Sequence, residues 1–140
     1  MATGHSTFWD DLAQDLKDPQ FLREYVAESI RIGTIDRIVN ELDVAREQAG
    51  LSKAELARAI SSDPATVRRL FSAGHVNPTL GTLAEVAAAL GMRVVLAPLG
   101  ADDRKRITAP LLEGSTDEPQ ILARRLDEMR HDRDEESVTA

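Results

Sequence analysis

The sequence predicts an all-α protein, and three observations carry that expectation. The chain of 140 residues is 42% apolar but only 4% aromatic, so its core is aliphatic, of the kind that packs helix on helix. Its apolar residues recur at intervals of three and four, the period of a helix with one buried face. Aspartate–proline and serine–glutamate pairs stand where such stripes begin, as helix starts require. At this length the chain is one domain with room for flexible ends.

Phe8, Trp9, Leu12 and Leu16 share one face of a first short helix. Asp18-Pro19 supplies an N-cap carboxylate and a proline at the first helical position. Phe21, Leu22, Tyr25, Val26 and Ile30 then form a stripe, with a break expected at Gly33-Thr34. Ile35, Ile38, Val39, Leu42 and Ala45 continue it until Gly50 closes the helix. Ser52 and Glu55 fit a capping box before a short helix to about Ile60. After Ser61-Ser62, Asp63-Pro64 starts another helix bearing Val67, Leu70 and Phe71. A loop precedes one more helix from Leu80 to Leu90, ended by Gly91.

Arg93, Val94, Val95 and Leu96 read as a short strand closed by Pro98. A lone strand cannot satisfy its own backbone, so pairing with the same strand of a second copy is expected, which makes these four residues the candidate dimer contact. Beyond Gly100 the composition is polar and charged, with Pro110, Gly114 and Pro119. Residues 100–140 are expected to be a largely flexible tail with one helix at 120–133, where Ile121, Leu122, Leu126 and Met129 share a face. Three segments result: an N-terminal helical extension (1–33), a central domain (34–99) and the charged tail (100–140).

The net charge is −7, which by itself disfavours nucleic acid, but the distribution is uneven. Residues 51–100 carry five basic and three acidic groups, against five and ten in residues 1–50 and seven and eleven in residues 101–140. There is no cysteine, so disulfides and thiolate metal sites are excluded. No secretory signal and no membrane-length apolar run is visible, and a cytoplasmic location is expected. His5, His75 and His131 lie in a tail, a loop and an acidic end, and no hydrolase, P-loop or dinucleotide motif has a fitting context. The chain is therefore expected to be no enzyme and to hold neither cofactor nor metal.

The informative stretch is Leu51–Leu83, LSKAELARAISSDPATVRRLFSAGHVNPTLGTL. It resembles the Xre/Cro family of helix-turn-helix repressors, whose pattern reads LSQxELAxxxGxSxxTVSRLExGxxxPxxxTL. The resemblance implies a five-helix Xre/Cro-like domain that binds double-stranded operator DNA, here with the N-terminal extension and the short C-terminal dimerisation strand added. It also implies that the Pro64 helix enters the major groove, with base-reading positions at Pro64, Ala65, Thr66, Arg68 and Arg69. Arg69 suits a bidentate contact to guanine. Lys53 suits a phosphate, with Arg58 and His75 as further phosphate candidates. Two departures stand out: Ser61 occupies a usual glycine position, and Phe71 replaces the glutamate that usually pairs with the arginine at Arg46. Arg46 is then expected to be free for a phosphate or another carboxylate.

The segment from Asp15 to Tyr25, followed by this motif and by GMRVVLAPL, is similar to antitoxins of the HigA type. That resemblance implies a homodimeric repressor of its own operon, the antitoxin of a type II toxin–antitoxin pair. Its partner would be a RelE/HigB-like ribonuclease toxin, bound outside the DNA-reading helices through Phe8–Ile30 or Ile121–Met129. A stand-alone Xre-family regulator without a toxin, and a protein-binding scaffold that has lost DNA contact, are the alternatives.

Overall fold

The computed structural model describes residues 3–72 and 77–131, with side chains from Thr7 onward. Its regular structure is helical: α1 (Thr3–Asp15), α2 (Pro19–Gln48), α3 (Lys53–Ala59), α4 (Pro64–Leu70), α5 (Leu80–Ala89), α6 (Ala101–Asp103), a π-helical turn (Arg104–Thr108), α7 (Ala109–Glu113) and α8 (Pro119–Arg130). The chain divides into two compact units, Thr34–Ala97 and the pair of segments Met1–Gly33 and Pro98–Ala140. Helix α2 contributes its first half to one and its second half to the other.

In the unit Thr34–Ala97, α3, α4 and α5 enclose an aliphatic core with the end of α2. Leu42, Leu56, Ala57, Val67, Leu70, Leu83, Val86 and Ala87 are buried there together with Phe71. Local chemistry sets the ends of these helices. Ser52 and Glu55 form a reciprocal capping box on α3, and Thr79 caps α5 by accepting from the Thr82 N–H at 3.1 Å.

The second unit joins both terminal segments around its own core: Trp9, Leu12 and Leu16 of α1, Leu22 and Val26 of α2, Ile107, and Leu122, Ala123 and Leu126 of α8. Each of the larger side chains contributes about 1.5–3 kcal/mol by leaving water. Polar contacts fix the register. Arg125 holds Asp103 through two nitrogens at 2.9 and 3.0 Å, so the guanidinium keeps the Asp103 carboxyl below its ordinary value. Arg130 donates to the hydroxyl of buried Ser29 at 2.9 Å and lies over the Tyr25 ring.

Three expectations are corrected. The break at Gly33-Thr34 does not occur, because α2 runs unbroken. Gly33 serves close packing instead: a Cβ there would stand 2.5 Å from the Met129 carbonyl oxygen of α8. The polar stretch after Gly100, read as largely flexible apart from one helix at 120–133, carries α6, the π turn and α7 before that helix, which is α8 (Pro119–Arg130). Ile107 and the α8 stripe find their buried surface on helices about a hundred residues earlier, which no local pattern announces. The acidic end 132–140 lies outside the described residues.

The third correction concerns Arg93–Leu96, where the short C-terminal dimerisation strand is not supported. Among the described residues there is no strand, and 92–100 has no regular structure. The Met92 N–H bonds the Ala87 carbonyl at 2.7 Å and completes the end of α5. Beyond it the β-branched run has no neighbouring ladder to join, and a strand is defined by that ladder. Val95 and Leu96 are 65% and 100% exposed.

Candidate nucleic-acid interface

The pattern Leu51–Leu83 falls on α3, a sharp turn, α4 and the start of α5. Ala57, fully buried between α3 and its neighbours, leaves no room for a larger side chain. Ile60 ends α3, and the Ser61 and Ser62 N–H groups bond back to Arg58 and Ala57 carbonyls at 3.2 and 2.8 Å. That closure forces Ser61 to φ +53°, the left-handed region that glycine takes without cost. The departure at Ser61 therefore preserves the turn and strains it. Asp63 then caps α4 by accepting from the Ala65 N–H at 3.0 Å, with Pro64 at the first helical position. Its carboxylate is thereby engaged in the cap.

Val67, Leu70 and Phe71 bury one side of α4. Helical spacing puts Ala65, Arg68 and Arg69 on the other side. Arg68 and Arg69 are exposed, Ala65 and Thr66 half-buried. Among the described residues neither arginine has an ion-pair or side-chain hydrogen-bond partner. Both lie in the last turn of α4, where the helix dipole favours a cation. Lys53, by contrast, is the first residue of α3, where the dipole opposes a positive charge and an anion would relieve it. Arg58 is exposed in the last turn of α3. Beside them the Ser52 backbone N–H, then the Ser52 hydroxyl, hold the Glu55 carboxyl below its ordinary value. The His75 position lies outside the described residues.

Arg46 takes the second of its two expected partners, another carboxylate. It bonds Asp43 at 3.0 Å and the Leu51 carbonyl at 2.7 Å, and its guanidinium lies 5.8 Å from the centre of the Phe71 ring. The Phe71 ring thus lies beside a guanidinium whose charge partners are Asp43 and Glu47. Sequence spacing alone also missed Thr79 as the cap of α5; its signal was a threonine three residues before Thr82.

A helix pair joined by a tight turn, with a cationic face on the second helix, defines a helix-turn-helix module. Residues 42–95 match the helix-turn-helix family model HTH_3. No curated protein and no solved structure matches the chain. The match supports a DNA-binding transcriptional regulator with an Xre-type helix-turn-helix. Among the described residues, no helix is long and apolar enough to cross a membrane, and no three acidic or histidine side chains converge on a metal-sized point.

Proposed function

We propose that this protein is an operator-specific transcriptional repressor that also serves as the antitoxin of a type II toxin–antitoxin pair. The observation that carries the DNA reading is the outward face of α4, where Arg68 and Arg69 stand exposed while Asp63 is engaged in its cap. Two exposed guanidinium groups on a helix of this kind suit guanine edges and phosphates in a major groove. In this reading the chain binds and does not catalyse. The deciding measurement is a titration of the full chain against its own promoter and a scrambled duplex at several salt concentrations. Equal affinity for the two duplexes would overturn operator-specific repression.

The antitoxin role is supported by the second unit. Both terminal segments build a helical body with a core separate from that of the helix-turn-helix. The terminal unit holds 17 acidic and 10 basic residues, whereas the helix-turn-helix unit holds seven of each. An acidic body suits a ribonuclease whose surface must hold RNA. Co-expression with the product of the neighbouring reading frame and recovery of a stable complex is the test. If none forms, the stand-alone regulator is the reading that remains. We also propose a homodimer, because Val95 and Leu96 expose apolar surface beside α5 that an assembly would cover. Leu96→Asp should shift the sedimentation profile toward monomer.

A further inference from the structure

Ile121, in the first turn of α8, is 44% exposed, while its helix neighbours Leu122 and Ala123 are buried. It stands between two hollows and lines both. One hollow carries Asp102, Glu113, Asp117 and Glu118; the other, beside α1, carries Asp10 and again Glu118. Carboxylates outnumber basic groups in the two linings by five to three. Among the described residues, the side chains of Asp102, Glu113, Asp117 and Glu118 make no ion pair or hydrogen bond, whereas adjacent Asp103 is held by Arg125.

We propose that this face docks a basic segment of a second protein, with Ile121 as the apolar anchor and the unpaired carboxylates as the rim. The proposal rests on the reading that the chain has a protein partner, and it names the surface that partner uses. An apolar centre inside a charged, water-accessible rim is the arrangement of protein interfaces, and a rim whose carboxylates outnumber Lys17, Lys105 and Arg106 favours a partner of net positive charge. The net negative charge opposes the other occupants. Nucleic acid would set phosphates against carboxylates. A second copy would set this rim against its own like charges.

The test uses the full chain, with the purified product of the neighbouring reading frame as the probe. Binding is measured by calorimetry at low and high salt for wild type, Ile121→Glu and the pair Glu113→Lys with Asp117→Lys. Ile121→Glu should weaken binding by about tenfold or more, as loss of an interface anchor does. The double reversal should weaken it and flatten its salt dependence. The thermal midpoint should stay unchanged in both, and operator affinity should not fall in either. If wild type binds and both variants bind equally well, the docking face is wrong and the partner reading stands. If wild type does not bind, the partner reading itself fails. Should Ile121→Glu lose helical signal, the double reversal decides, because its two exposed side chains form no bond that folding requires. If Ile121→Glu instead abolishes self-association and spares the probe, a second copy is the occupant and the proposal is overturned.

Discussion

Arg69 and Lys53 are both cations of the helix-turn-helix unit, and the proposal that they do different work rests on their different surroundings. Arg69 lies on the open face of α4, and Lys53 lies at the dipole-opposed start of α3. Arg69→Ala should cost about 1–3 kcal/mol on the operator and little on scrambled DNA. Lys53→Ala should weaken both duplexes alike and reduce the log–log salt slope by about one unit. Titration of both variants on both duplexes separates the roles, and equal losses for Arg69→Ala would contradict base reading. Ser61 offers a second test. A side chain at φ +53° carries roughly 1–2 kcal/mol of left-handed strain, partly offset in glycine by greater unfolded-chain entropy. Ser61→Gly should therefore stabilise the unit by about 0.5–1 kcal/mol in urea titration.

Helix α2 shows how a residue that reads as a breaker can be a packing device. In an exposed helix, Gly33→Ala would gain about 1 kcal/mol from propensity. Here the new Cβ would meet backbone of α8, which cannot swing aside as a side-chain end can. The variant should be destabilised by about 1–3 kcal/mol, seen as a lower thermal midpoint. The Asp103–Arg125 pair joins α6 to α8, and its carboxyl is held below the ordinary range by the Arg125 hydrogen bonds. Its contribution is present above that range and is lost as the pH falls below about 4. Asp103→Asn should flatten the acid limb of the stability profile measured by circular dichroism. Elements whose signals lie within a few residues were legible beforehand. The Ser52–Glu55 box, the Asp63-Pro64 start and the glycine ends at Gly50 and Gly91 are such elements. Arg68 and Arg69 were legible as exposed for the same reason, since the Val67–Leu70 stripe leaves them outside. The engagement of Arg46 with the Phe71 ring depends on tertiary approach, so the sequence left it open. Of the helices after Gly100, α8 was legible from its Ile121–Met129 stripe, whereas α6, the π turn and α7 were hidden, because Ile107 becomes core only against α1 and α2.

At the scale of the whole chain, removing residues 101–140 is no simple trimming of a tail. It strips the Leu122 and Leu126 cover from Trp9, Leu12, Leu16 and Val26. Such a truncation should bind hydrophobic dye and lose part of its helical signal. The residues that build the core around Leu42, Leu56 and Val67 remain, so operator affinity should be retained or improved as acidic groups are lost. A large loss of affinity would show that DNA reading depends on the terminal unit. The arrangement of the core in sequence also sets an order of events during synthesis. The DNA-reading unit is complete once Ala97 has left the ribosome, while α1 waits for α8, whose Leu126 is buried against it. At about 5–20 residues per second, the hundred-odd residues between Trp9 and Leu126 take roughly 5–20 s to make. For that interval the nascent protein has a folded DNA-reading unit and, in α1, an uncovered stripe of Trp9, Leu12 and Leu16, an easy target for chaperones and proteases.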